Sequence, residues 1–261
     1  MIVAPGWPRL VDTPQTSKPD AAADADASSH ESLLRRVAEL TELAGGLAHE
    51  LRNPLSTLMV NLKLLGEDLR DFQARPEDTR RRALLKIEVL RREAERLQSL
   101  FDEFLRLAGT WSIHVAPVDL RQLVERLIEF LEPLLHGHKI EVRLDSPPES
   151  IVCLADEKLI SQALLNIALN AQQAMPDGGA MTIRIGKDAD GASISIRDTG
   201  VGIPEADRER IMRPFFSTKA GGSGLGLPLC KRIVEEHGGT LSFASELGKG
   251  TNFTIRLPAA P

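Results

Sequence analysis

From about Ser32 the chain carries apolar side chains at steps of four and three. Leu33, Val37, Leu40, Ala44, Leu47 and Leu51 continue through Leu55, Leu58, Leu62, Leu65 and Leu69. That spacing predicts one long helix with a bundle-forming seam. Pro54 falls inside it, where it removes a backbone bond and crowds the carbonyl of Glu50, so a kink is expected there. Arg75-Pro76-Glu77-Asp78 punctuates the pattern, and Ala83, Ile87, Leu90, Ala94, Leu97, Phe101, Phe104 and Ala108 form a second seam. Two long helices with a short connection predict an antiparallel hairpin. A single hairpin with a narrow seam encloses no core, so two copies are expected to pair as a four-helix bundle in a homodimer.

Beyond Gly109–Pro117, which reads as a linker, the periods mix. Asp119 is placed to cap a helix running to about His136. Ile140–Leu144 and Ile151–Leu154 read as strands and Asp156–Met175 as a helix. Met181–Ile185 and Ala192–Ile196 alternate as strands across Asp190-Gly191. A helix is expected over Gly226–His237, stopped by Gly238-Gly239, with strands at Thr240–Ala244 and Thr251–Leu257. The whole predicts an α+β chain in which a sheet carries helices on one face. Ahead of the hairpin, four prolines and the run Ala21–Ala27 predict a disordered tail. The expected divisions are a tail over 1–30, a hairpin over 31–110, a linker over 111–118 and a second domain over 119–261.

Composition narrows the classes. Lys and Arg number 32 against 37 Asp and Glu, a net charge of −5, which argues against a basic nucleic-acid surface. Aromatic residues make up 4% of the chain and tyrosine is absent, which disfavours stacking platforms for single strands. Two distant cysteines, Cys153 and Cys230, offer neither a disulfide scaffold nor a zinc spacing and fit a reducing compartment. The longest uncharged stretch, Leu159–Pro176, is too rich in amides to span a lipid core, and no secretory leader is legible. A cytoplasmic protein without membrane insertion is expected.

Several residues could carry chemistry. His49 lies about 200° around the helix from the seam residue Leu47 and so faces solvent. Glu50 is beside it and Asn53 lies one turn on, sharing its face. A carboxylate can hold such an imidazole in one tautomer and leave the other nitrogen nucleophilic, although taken alone the position reads as an ordinary surface histidine. Asn166 and Asn170 stand at i and i+4 in an otherwise apolar helix. Such amides either bond to backbone or supply oxygen to Mg²⁺. Asp198-Thr199-Gly200-Val201-Gly202 follows a strand. Two glycines there let backbone approach a ligand, though Gly-x-Gly is more often a turn. Gly222-Ser223-Gly224-Leu225-Gly226 opens a helix, a setting suited to phosphate. Between the two glycine clusters, Phe215-Phe216-Ser217-Thr218-Lys219 reads as a lid or as a surface loop with docking phenylalanines.

In this order the motifs resemble those of the two-component sensor histidine kinases. His49-Glu50-Leu51-Arg52-Asn53-Pro54-Leu55 resembles the H box and Asn166–Ala171 the N box. Asp198–Gly202 resembles G1, Pro214–Lys219 the F box and Gly222–Leu227 the G2 box, while Gly248–Thr251 is similar to the last glycine element. The likeness covers roughly 32–258, and Asn53 with the amide-rich N box looks most like the nitrogen-regulation type. It implies a dimerisation and phosphotransfer hairpin followed by a two-layer α/β sandwich of the Bergerat ATP-binding type.

The resemblance further implies that His49 accepts the γ-phosphoryl group of ATP, that Glu50 orients and deprotonates it, and that Asn53 positions water for dephosphorylating a partner. Asn170, with Asn166, is implied to hold Mg²⁺, and Asp198 to bind the adenine amine with Thr251 assisting through water. Gly200, Gly202, Gly222, Gly224, Leu225 and Gly226 are implied to shape the nucleotide contacts, and Lys219 to reach a phosphate. The implied partners are a second copy and a response regulator receiver domain met near Ser56, Thr57 and Asn61; a sensor acting through a separate protein and a longer chain of which this is a part both stay open. Gln173 stands where many relatives carry lysine, and Arg213 where glutamate is usual. The rival readings are a docking scaffold that has lost catalysis and another ATPase of the same nucleotide fold. The latter lacks a histidine-bearing hairpin upstream.

Overall fold

The computed structural model describes residues 21–70, 76–109, 112–188, 191–219 and 222–258. Two compact units divide it, Met1–Glu42 and Leu43–Pro261. Helix α1 (Ala21–Arg70) is continuous through Pro54. It begins well before Ser32, so residues 21–30 are helical where a disordered tail was expected. Alanine, the strongest helix former, extends a helix without marking a seam. The remainder of that expected tail, Trp7 included, lies outside the described residues.

Helix α2 (Pro76–Ala108) starts on a proline, whose missing N–H costs nothing at a first helical position. Asp68, buried near the end of α1, ties the two helices. It accepts from Lys86 Nζ at 2.5 Å, and Arg82 approaches it at 3.8 Å. The seam is only half covered within one chain. The seam residue Leu47 is buried, as are Leu43, Leu100 and Leu107 beside the expected seam, whereas the seam residues Leu55, Leu62, Leu69, Ile87 and Phe101 are about half exposed.

The following layers are strand β1 (Ala116–Asp119), helix α3 (Leu120–Gly137), β2 (Ile140–Asp145), β3 (Val152–Ala155), α4 (Glu157–Gln173), β4 (Gly179–Asp188), β5 (Gly191–Asp198), the single turn α5 (Glu205–Arg208), α6 (Gly226–Glu236), β6 (Thr240–Glu246) and β7 (Gly250–Pro258). The main sheet has the order β2-β4-β5-β7-β6, with β2 and β4 parallel and the other pairs antiparallel. Helices α3, α4 and α6 pack on the sheet and on one another. Strand β1 occupies residues expected to be linker. Val118 is buried opposite Cys153 in an antiparallel pair with β3, and Pro117 within so short a strand had masked the alternation.

Side-chain caps explain where helices start. Asp119 accepts from Arg121 N and Gln122 N at the head of α3, and Asp156 accepts from Lys158 N and Leu159 N at the head of α4. His237, at the end of α6, donates from Nδ1 to Ile233 O, and its Nε2 accepts from Asp156 N at 2.9 Å. This fixes one tautomer and links the two helix ends. Cys153 and Cys230 are free and buried, and burial raises their thiol pKa values to about 11 and about 12. At pH 8 both are therefore thiols rather than thiolates. Iodoacetamide at that pH should leave the native protein unmodified and add two groups once denaturant unfolds it, as read by intact mass.

Candidate functional site

Asp198, the last residue of the interior strand β5, is 2% exposed. Its Oδ1 accepts from Gly200 N at 2.8 Å and from Thr251 N at 3.1 Å. Burial pushes its pKa up, while those amides and Lys219 pull the other way. Ser245 secures the surrounding backbone. Its hydroxyl accepts from Ile203 N and pairs with Thr251 Oγ1 at 2.9 Å.

Asp198 lines a cavity of about 520 Å³ whose opposite wall is α4. Asn166, Asn170 and Gln173 succeed one another on that helix at i, i+4 and i+7, hence on one face, and all three reach the cavity. Lys219 enters from the loop between β5 and α6. Its Nζ donates to Asn170 Oδ1 at 2.8 Å and to Gln173 Oε1 at 2.7 Å. The residue is exposed overall, yet desolvation at the wall lowers the pKa of its ammonium, opposed by the charge of Asp198. Apolar lining comes from Ile203, Ile211, Phe216 and Phe253, and Arg210 stacks over the Phe216 ring at 4.2 Å. Among the described residues no three His, Cys, Asp or Glu side chains gather as a metal site.

The loop also touches the hairpin. Phe215, like Phe104, packs against the buried cluster of Leu43, Leu100, Leu107 and Leu225. Gly46 is the gap its ring fills, because a Cβ there would sit 2.9 Å from Phe215 Cγ. Phe215 itself has φ of 61°, a costly conformation for a phenylalanine. Gly224 (φ +66°) lets the chain turn against it, since a side chain at 224 would lie 2.6 Å from Phe216 N. Ser223 Oγ donates to Glu103 Oε2 of α2 at 2.6 Å, and burial raises the pKa of that carboxyl.

A helical hairpin joined to a cavity of this composition has known counterparts. The model of the His Kinase A (phospho-acceptor) domain matches residues 39–108, and that of the histidine kinase-, DNA gyrase B- and HSP90-like ATPases matches residues 155–261. The sensor histidine kinase ZraS of Escherichia coli (strain K12) is 34% identical over 223 residues, 85% of this chain and 46% of that protein. Sporulation kinase C of Bacillus subtilis (strain 168) is 33% identical over 245 residues, 91% of this chain and 54% of that protein. The chain belongs to the sensor histidine kinases. It spans about half the length of the curated relatives it matches.

Solved structures carry the same architecture. Full-length ShkA in complex with AMPPNP superposes with a TM-score of 0.60 at 28% identity, over 85% of this chain and 47% of that one. ThkA in complex with response regulator protein TrrA gives 0.69 over 90% of this chain and 66% of that one, a likeness of fold at 24% identity.

Within the chain the positions singled out from sequence fall into three places. Asn166, Asn170, Asp198, Gly202, Lys219, Gly222, Gly224, Gly226 and Thr251 line the cavity. Gly200 and Leu225 do not. Gly200 turns its amide to Asp198, and Val201 N bonds Ala174 O behind it. The Leu225 side chain is fully buried in the cluster against the hairpin. His49 and Asn53 are exposed on α1 and Glu50 is half-buried, and none of the three lines the cavity. Glu103 lines it, though nothing local to α2 marks that glutamate among its neighbours. Among the described residues, no helix is long and apolar enough to cross a membrane.

Proposed function

We propose that the chain is an ATP-dependent protein-histidine kinase that phosphorylates His49. The observation that carries this reading is a cavity with a buried carboxylate at one end and paired amides with a lysine at the other. It stands on a chain that presents an exposed histidine on its preceding helix. Asp198 suits the exocyclic amine of adenine. Its Oδ1 is committed to two backbone amides, which orients Oδ2 for a ligand's N–H. Ile203, Ile211 and Phe253 supply apolar walls for a base.

Phosphoryl transfer depends on positioning and charge neutralisation. A lone pair of the His49 ring attacks Pγ, the P–N bond forms, the bond from Pγ to the β-phosphate oxygen breaks, and ADP leaves. Glu50 takes the proton from the other ring nitrogen. The residues present fit Mg²⁺. Asn170 Oδ1 already accepts from a cation, and one or two protein oxygens suffice for an ion that draws its other ligands from phosphate and water. Asn170, with Asn166 beside it, would hold that ion, which supplies neutralisation of the triphosphate charge.

The phosphoryl group then passes to an aspartate of a response regulator receiver domain, with specificity set near Ser56, Thr57 and Asn61. Asn53, exposed one turn from His49, positions water for the opposing hydrolysis, in which water attacks the phosphoaspartate phosphorus, the bond to the carboxylate oxygen breaks and inorganic phosphate leaves. Asn53 and the amide-rich α4 motif support a nitrogen-regulation-like type. Two buried free cysteines fit a cytoplasmic setting.

The half-exposed seam supports a homodimer. Burying one leucine contributes about 1.5–3 kcal/mol, so a Leu62→Glu, Leu69→Glu chain should run as a monomer in light scattering where the parent runs as a dimer. The kinase reading is tested with γ-labelled ATP and Mg²⁺. The chain takes up label that is stable to base and labile to acid. Label stable to acid, or none with nucleotide bound, returns the reading to a docking scaffold or another ATPase of this fold.

A further inference from the structure

Lys219 is held in an uncommon way. Its ammonium has three donors, and two go to neutral amide oxygens, Asn170 Oδ1 at 2.8 Å and Gln173 Oε1 at 2.7 Å. Among the described residues it forms no ion pair, although the chain is rich in surface pairs such as Arg91 with Glu88 and Glu95. Two dipoles satisfy donors without cancelling charge. The result is a fixed positive group on the wall of a cavity, with the Asp198 carboxylate acting on it across the cavity rather than pairing with it. A solvated lysine with no task gains little from such tethering, because immobilising its long side chain costs rotamer entropy.

We propose that Gln173 is a positioning residue that holds the Lys219 ammonium so that its third N–H meets an anionic oxygen of the phosphate chain of a bound nucleotide. The inference rests on the ATP reading above and adds to it the residue that aims the cation. Three features support it. Asn170 and Gln173 are one turn apart on the rigid face of α4, so the two acceptors have a fixed spacing. The Lys219 backbone is anchored too, since its N–H donates to Ser217 Oγ at 3.1 Å. Finally, a divalent cation on Asn170 Oδ1 would repel the Lys219 ammonium from that oxygen. Gln173 then remains as the tether that keeps the ammonium at the same end of the cavity.

The test is calorimetric titration of the whole chain with ATP and with adenosine, in Mg²⁺. Gln173→Ala should weaken ATP by about tenfold, the scale of a hydrogen bond to a charged group, and leave adenosine unchanged. Lys219→Met should lose at least as much for ATP alone. The double variant should bind ATP no more weakly than Lys219→Met, because the tether has nothing left to hold. Losses that add in the double variant, an equal loss for adenosine, or no loss in Gln173→Ala would each overturn the role of Gln173 while leaving the ATP site intact. A parent chain that binds neither ligand removes the ATP reading and this inference together. Melting temperatures of the variants, expected to match the parent for these exposed positions, separate a binding effect from unfolding.

Discussion

A His49→Gln chain incubated with γ-labelled ATP and Mg²⁺ takes up no acid-labile label, yet binds ATP as tightly as the parent. Glutamine keeps a polar side chain on an exposed helical position, so α1 is undisturbed. It offers no basic ring nitrogen, so the P–N bond has no site at which to form. The expected loss is complete rather than partial, because the residue is the acceptor and not an aid to another acceptor. His49 does not line the cavity, and that is why affinity is retained. Phosphoamino-acid stability and a nucleotide titration on the same preparation read the two halves of this expectation. Persisting acid-labile label in the variant would place the acceptor on another histidine.

The second large effect is expected at Asp198. Asp198→Asn should weaken ATP at least about a hundredfold, since a pocket that hydrogen-bonds a ligand N–H discriminates strongly once the acceptor becomes a donor. Stability should move the other way. The folded protein raises the pKa of Asp198, chiefly by burial. Stability from such a group is fully present at acid pH and lost as pH rises through the raised value, so at neutral pH the ionised carboxylate is a cost. An asparagine whose Oδ1 still accepts from Gly200 N and Thr251 N escapes that cost. Thermal unfolding at pH 7 should therefore give a melting temperature equal to or above that of the parent, beside a lost calorimetric signal for ATP. A variant that melts well below the parent, or that binds ATP normally, would falsify this account of the site. A gain in stability with a loss of binding is the expected signature of a residue strained for function.

Much of the fold was legible because its rules are local. Steps of four and three laid out α1 and α2, and strict alternation laid out β4 and β5 and their antiparallel pairing. The misses have local reasons as well. The alanine-rich start of α1 has helix propensity but no seam, β1 is four residues long with a proline in it, and α5 is a single turn.

The site was legible as a set of residue types and not as an arrangement. The motif order placed nine of the expected nucleotide contacts on one cavity, but it also enlisted Gly200 and Leu225, which the packing turns elsewhere. Leu225 illustrates the reason. A leucine beside glycines at a helix start reads as part of the loop, and only the apolar faces of α1 and α2 nearby decide that its side chain is drawn toward them.

Sequence alone determined the periodicities, the helical starts at Asp119 and Asp156, and the presence of an exposed histidine, paired amides and glycine-rich turns. Each of these depends on residues within a turn or two of chain. The tertiary structure decided which carboxylate is desolvated, which cation stands against which amide, and which half of the seam stays uncovered. Lys219 meets Asn170 and Gln173 across separations of 49 and 46 residues, and Glu103 meets Ser223 across 120. Charge and burial depend on neighbours in space, and at those separations the neighbours are chosen by the packing of whole helices and strands.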